Sequence, residues 1–320
     1  MSNDHVRVGL GQISPVWFRR DQTLEKVCDT VRDAATERCD VVGFGEALVP
    51  GYPFWPERTG GAVFESKVQK AFHARYLDQA VQIEAGHLDS VCQVAGEHGV
   101  AVVLGIIERP VDRGGHSVYA SAVTINPQGV IVSVHRKLMP TYEERLTWSP
   151  GDGNGLRVHP LKAFTLGSLN CWENWMPLPR AALYAQGEDL HYAIWPGGMH
   201  NTGDITRFIA KEARSYVVSV SSLMRGSDFP ADTLHRDQLV DDEDAFLANG
   251  GSCVAGPDGQ WVLPPVAEKE GLLVADIDHT RVREERQNFD PVGHYSRPDV
   301  THLTVDRTRQ STLSVIDDDT

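Results

Sequence analysis

Three residues stand where a base, a cation and a nucleophile could be brought together. Glu46 follows the apolar run VVGFG, Lys137 follows VIVSVHR, and Cys171 follows TLGSLN. Each run reads as a strand, and reactive groups of α/β sheets collect at the carboxyl ends of strands. A carboxylate beside a thiol can take its proton, and a nearby ammonium stabilises the thiolate and any later oxyanion. Such a set supports covalent catalysis without a histidine partner. Each residue also has a plainer reading. A cysteine closing an apolar strand is commonly a small hydrophobe. Glu46 could leave a sheet edge for solvent, and Lys137, after His135 and Arg136, could belong to a solvated basic face. Spacing alone leaves both readings open.

Other chemistries find less support. The five cysteines (Cys28, Cys39, Cys92, Cys171, Cys253) are scattered with no C-x-x-C pair, so neither a disulfide framework nor a zinc knuckle is indicated. The thirteen histidines contain no H-x-x-x-H pair, so no metal site is expected on a helix. A formal charge of −14 disfavours nucleic acid as a partner, because phosphate contacts need clustered Lys and Arg. No apolar run is long enough for a membrane span. The start, MSNDHVRVGLGQIS, lacks a basic segment followed by an apolar helix, so a cytoplasmic location is the expectation.

The elements that must hold the three residues alternate between two periodicities. Strands are expected at 6–13, 40–49, 100–108, 164–171, 190–197, 216–224 and 271–278, with hairpins at 117–137 and 252–263. Helices are expected at 23–38, 64–83, 87–98, 177–187 and 204–215; the first carries Leu24, Val27, Val31 and Ala34 on one face. Residues 226–251 read as a long acidic excursion, and no Pro/Gly/Ser-rich linker divides the chain. Hairpins mixed with βα units predict one α/β domain over 1–304, with a mixed sheet or two packed sheets, and a polar, frayed tail over 305–320.

Three blocks carry a resemblance that is more specific. GFGEALVPGYPFW (43–55), HRKLMPTYEERLTWSPGDG (135–153) and LNCWENWMPLPRAALYAQG (169–187) resemble the signature blocks of the nitrilase family of carbon–nitrogen hydrolases, in the family's order. The similarity runs from Val6 to the HYSRPDV segment (294–300). The resemblance implies an α-β-β-α sandwich, with Glu46 as general base, Lys137 as charge stabiliser and Cys171 as nucleophile. A second glutamate of the family lies a few residues beyond the lysine. Glu143 and Glu144 are adjacent there, and the alignment of PTYEER favours Glu144.

CWENWMPL and KLMPTYEERLTW resemble the nitrile-hydrolysing branch. That implies hydrolysis of a small nitrile to acid and ammonia through a thioimidate and a thioester, with no metal or organic cofactor. An amidase and a cyanide-converting enzyme are the alternatives within the superfamily, and an idle assembly protein is one outside catalysis. Tyr52, Trp172 and Trp195 are candidates for an apolar substrate pocket, and the Trp172 N–H for an oxyanion donor. The resemblance also implies a homodimer that builds larger oligomers or filaments.

Overall fold

The computed structural model describes residues 3–313 and 316. The strands are β1 (His5–Gln12), β2 (Val41–Phe44), β3 (Ala101–Glu108), β4 (Tyr119–Ile125), β5 (Ile131–Arg136), β6 (His159–Leu161) and β7 (Phe164–Asn170). They continue with β8 (Leu190–Trp195), β9 (Tyr216–Ser221), β10 (Leu223–Arg225), β11 (Phe246–Ala255), β12 (Trp261–Ala267) and β13 (Gly271–Asp278). The helices are α1 (Arg20–Thr36), α2 (Trp55–Arg58), α3 (Lys67–Gln79), α4 (Asp89–His98), α5 (Pro177–Tyr184), α6 (Met199–Ala213), α7 (Arg236–Leu239) and α8 (His279–Asn288).

Two sheets form. One has the order β13-β1-β2-β3-β4-β5, the other β10-β11-β9-β8-β7-β6 with β12 on β11. In each, three central strands are parallel (β1-β2-β3 and β7-β8-β9) and antiparallel strands flank them. Alternation along the strands decides which side chains meet. Val6, Val8 and Leu10 of β1 pack between the sheets against Tyr192 and Ile194 of β8 and Val218 of β9. The opposite face of the first sheet, including Val42, Phe44 and Val102, is covered by Leu24, Val27 and Val31 of α1 and Val91 and Val94 of α4. On the outer face of the second sheet, Ala193 and Trp195 pack against Ile205 and Ile209 of α6. The architecture is the α-β-β-α sandwich.

The structure departs from the expected elements at several places. The strand expected over 40–49 ends at Phe44, because the chain turns away to place Glu46 and Ala47 takes a positive φ of 54°. The acidic excursion ends earlier than expected: from Phe246 onward it is β11, which lies between β9 and β10 and also pairs with β12. Its apolar signal is weak because small residues such as Ala248 supply its buried positions. Helix α8 carries only one buried residue, Val282, so it has no apolar stripe to read; Asp278 caps it by accepting the Thr280 N–H at 2.9 Å. Near the C-terminus, Arg309 donates to Asp152 and to the Val134 carbonyl, both at 3.0 Å, and holds that stretch against the body.

Candidate active site

Glu46 lies two residues beyond β2, in a turn that crosses the neighbouring strand closely. A Cβ on Gly105 of β3 would stand 2.1 Å from the Gly45 carbonyl oxygen and 2.7 Å from Glu46 Cα, so only glycine fits beneath the turn. The Glu46 N–H donates to the Trp195 carbonyl at 3.0 Å, which ties the end of β2 to the end of β8 in the opposite sheet. Lys137 directly follows β5 and extends its ladder, donating its N–H to Ala120 O at 2.8 Å. The chain then enters a 3₁₀ turn, Tyr142–Leu146, in which Thr141 N–H donates to Glu144 Oε2 at 2.6 Å. Cys171 opens a second 3₁₀ turn, Cys171–Trp175, with φ at 47° in the left-handed region. That conformation is unfavourable for a non-glycine residue and persists where the surroundings enforce it. Asn174 Nδ2 donates to Cys171 O at 2.8 Å, and its Oδ1 meets His191 Nε2 at 2.7 Å, while His191 Nδ1 meets Glu188 at 2.8 Å.

These three strand ends meet in one buried cluster. Lys137 Nζ lies 2.6 Å from Glu144 Oε2 and 3.0 Å from Glu46 Oε1. One carboxylate oxygen from each of Glu46 and Glu144 and the Cys171 Sγ all lie within 4.8 Å of one another. None of these side chains is appreciably exposed. The Trp148 ring sits 5.3 Å from the ammonium, and the Tyr52 hydroxyl reaches Glu144 Oε1 and Glu143 Oε1 at 3.1 Å each. Neither oxygen of Glu46 accepts a well-aligned hydrogen bond, although Oε1 is close to the ammonium. Glu46 therefore keeps lone pairs free for a proton from a thiol or a water.

Burial governs the electrostatics. It pushes the Glu46 carboxyl up to about 8; Lys137 opposes the shift and Glu144 adds to it. Burial also holds the Cys171 thiol well above its ordinary range, against the pull of Lys137, so the resting sulfur is protonated. For Lys137, burial would lower the ammonium, but the fields of Cys171 in its thiolate form, Glu46 and Glu144 outweigh it and keep the group charged. The arrangement is a neutral thiol, a base poised near mildly alkaline pH and a fixed cation. It can generate a thiolate at the moment of attack and stabilise the negative charge that follows.

Residues 7–287 match the sequence model of the carbon-nitrogen hydrolase family. The chain belongs to the carbon-nitrogen hydrolase family. Among its relatives is nitrilase 2 of Arabidopsis thaliana, 36% identical over 95% of this chain and 89% of that protein. An aliphatic nitrilase of Rhodococcus rhodochrous is 33% identical over 93% of this chain and 81% of its own length. An arylacetonitrilase of Aspergillus kawachii is 30% identical over 95% and 93%. The fold is shared with a carbon-nitrogen hydrolase from Helicobacter pylori G27, with a TM-score of 0.70, 19% identity, and 92% and 96% of the two chains covered. An amidase from Nesterenkonia sp. shares it too, with a TM-score of 0.64, 18% identity, and 90% and 96% covered.

Within this hydrolase fold the structure brings Glu46, Lys137, Glu144, Cys171 and Tyr52 together. The Trp172 ring stands largely in solvent, whereas Trp195 lies in the same buried apolar cluster as Cys171. Trp172 is 50% exposed and its ring leans on Trp175, with centroids 6.0 Å apart. The Trp172 main-chain N–H acts on Cys171 only weakly, pulling the thiol down against the larger effect of burial. Trp195 is fully buried under α6, donates Nε1–H to Ser219 Oγ at 3.2 Å, and accepts the Glu46 N–H on its carbonyl. Beside Glu46, a narrow cleft with only about 10 Å³ of enclosed space is lined by Tyr52, Phe54, Leu48, Pro15 and Met224. The two carboxylates and the sulfur are close enough to share a divalent ion. The Lys137 ammonium already holds that place electrostatically, and a second cation would meet its repulsion.

Trp148 and Glu173 were not singled out from sequence, although both lie in the quoted blocks. A readable signal existed for the glutamate. Thr141-x-x-Glu144 and Asn170-x-x-Glu173 both have the spacing of a capping box, which closes a turn on the glutamate side chain.

Proposed function

We propose that this chain is a nitrilase that hydrolyses organic nitriles to carboxylic acid and ammonia through covalent intermediates on Cys171. The observation that carries the reading is the buried meeting of thiol, free carboxylate and ammonium within a few ångströms. Relatives named as nitrilases, matching over nearly the whole chain, support the choice of nitrile as substrate.

Glu46 takes the Cys171 proton as the sulfur adds to the nitrile carbon and passes it to the nitrile nitrogen, giving a thioimidate and restoring the carboxylate. Water, deprotonated by Glu46, adds to that carbon and forms a tetrahedral intermediate. The hydroxyl proton is carried by Glu46 to the nitrogen, the C–N bond breaks, ammonia leaves, and a thioester remains. A second water, activated in the same way, cleaves the C–S bond, releases the acid and restores the thiol. Lys137 stabilises the anionic states, Glu144 holds Lys137 in place, and the Trp172 N–H, next to the nucleophile, serves as an oxyanion donor. No metal or organic cofactor takes part.

The catalytic unit is 1–304, followed by the segment 305–320. Among the described residues no helix is long and apolar enough to cross a membrane, and we place the enzyme in the cytoplasm. Trp172, Trp175 and Leu178, at and beside the start of α5, and Phe208 on α6 are substantially exposed, which supports self-association into at least a dimer. Light scattering that finds an active monomer at working concentration would refute that part. The test of the activity is incubation with a nitrile panel, the matching amides and cyanide, with ammonia and acid measured. Faster turnover of the amides than of their nitriles would overturn the nitrilase reading in favour of an amidase.

A further inference from the structure

We infer that Glu173 is a positioning residue, a buried carboxylate that fastens the lysine-bearing strand end to the nucleophile turn and so sets the distance between Lys137 and Cys171. The inference rests on the proposed roles of those two residues.

The Glu173 side chain is wholly buried and ionised, yet it lies outside the catalytic cluster and contacts neither Lys137 nor the thiol through its own hydrogen bonds. Its oxygens accept from three donors. Oε1 accepts the Leu138 N–H at 2.7 Å, Oε2 accepts the Asn170 N–H at 3.0 Å, and His135 Nε2 lies 3.0 Å from Oε2 and 3.1 Å from Oε1. A carboxylate can only accept, so the imidazole carries its proton on Nε2. Leu138 immediately follows Lys137, and Asn170 immediately precedes Cys171. One side chain thus grips the two residues flanking the cation and the nucleophile. Asn170 Nδ2, at 3.5 Å from the His135 carbonyl, adds only a weak second tie.

The cost of burying a carboxylate argues that the contact matters. Burial opposes ionisation of Glu173, and His135 together with the two amides overcomes it, leaving the group below its ordinary range. Its charge is also felt at Glu46, where it adds to the upward shift. Glu46 is faced by Lys137 from the end of β5, Glu144 from the turn 142–146, Cys171 from the turn 171–175, Tyr52 from the loop after β2 and Tyr76 from α3. Glu173 is the member of this field that is also a mechanical link.

Glu173→Gln keeps the shape, removes the charge and turns an NH₂ group toward one of the three donors. We expect a folded protein, kcat lower by about 100-fold and KM changed by no more than about threefold, since a misplacement near 1 Å is sufficient. The decisive readout needs no substrate. The rate of Cys171 alkylation by iodoacetamide, followed by peptide mass, should fall overall, and its rise with pH should move lower by about half a unit as Glu46 loses a negative neighbour. A folded variant whose alkylation profile superimposes on that of the wild type overturns the inference, whatever its turnover. The outcome is independent of whether nitriles or amides prove to be the substrate. Should Glu173→Gln fail to fold, His135→Gln and His135→Leu decide instead. The first retains a donor and should keep the wild-type alkylation rate, the second should lose it, and equal rates in both would overturn the inference.

Discussion

Lys137 Nζ stands 2.6 Å from Glu144 Oε2, while the adjacent Glu143 reaches only the Tyr52 hydroxyl. Glu144→Gln removes the charge that holds the ammonium and should lower kcat by about 10²- to 10³-fold, the cost of a lost electrostatic contact at a developing charge. Glu143→Gln should stay within about threefold of wild type, as a partly exposed carboxylate outside the cluster. Steady-state kinetics on both variants with one nitrile tests the pair, and the reverse ranking would reassign the second carboxylate.

Cys171→Ala should lower hydrolysis by about 10⁴-fold or more, because the covalent route disappears with the sulfur. The thermal midpoint should move by only a few degrees, since a single small buried atom is removed. Intact-mass measurement with a slow nitrile should show an adduct on the wild type and none on the variant.

The pH profile follows from Glu46. Its folded carboxyl is pushed up to about 8 and must be ionised in the free enzyme to accept a proton. Activity as kcat/KM should therefore rise with pH and level off above about 8, and fall tenfold per unit on the acid side. A flat profile between pH 5 and 8 would show that a different group sets the limb.

Trp195→Phe separates a packing role from a substrate role. The ring is buried under α6 and hydrogen-bonded to Ser219, so its loss should cost about 1–2 kcal/mol of stability. KM should stay within about twofold, because the carbonyl that holds Glu46 is unchanged. A large rise in KM without loss of stability would place the ring in the substrate pocket.

Products should be mainly acid and ammonia, with amide minor. At the tetrahedral intermediate the C–N and C–S bonds compete, and carboxylates at Glu46 and Glu144 favour departure of nitrogen as a cation. A barrier difference of about 1.4 kcal/mol gives a tenfold ratio. Chromatography of products from an arylacetonitrile and a short aliphatic nitrile measures it, and amide as the dominant product from both would contradict the expectation.

What could be read from the sequence divides along a physical line. The sandwich was legible because strand and helix periods are local, and Leu24, Val27, Val31 and Ala34 show their shared face without any knowledge of their partners. The convergence of Glu46, Lys137 and Cys171 depends on strand order and on the packing of one sheet against the other. Spacing alone could offer it only as one possibility. β11 and α8 were obscured because small residues and a single buried valine leave almost no hydrophobic pattern. The tryptophans show a further limit. Residue type suggested two pocket walls at Trp172 and Trp195, but it could not show that the Trp195 carbonyl accepts the Glu46 N–H, since every residue carries such a group.

The tie between Glu46 N–H and Trp195 O gives this glutamate an unusual kind of inheritance. A side-chain clamp can be lost by one codon change, but a peptide carbonyl persists under any substitution at its position. Residue 195 can therefore drift in size and chemistry, within what the layer under α6 tolerates, while the coupling between the two sheets at the base is retained. The placement of Glu46 relative to Cys171 across that seam is thus inherited with the backbone path itself.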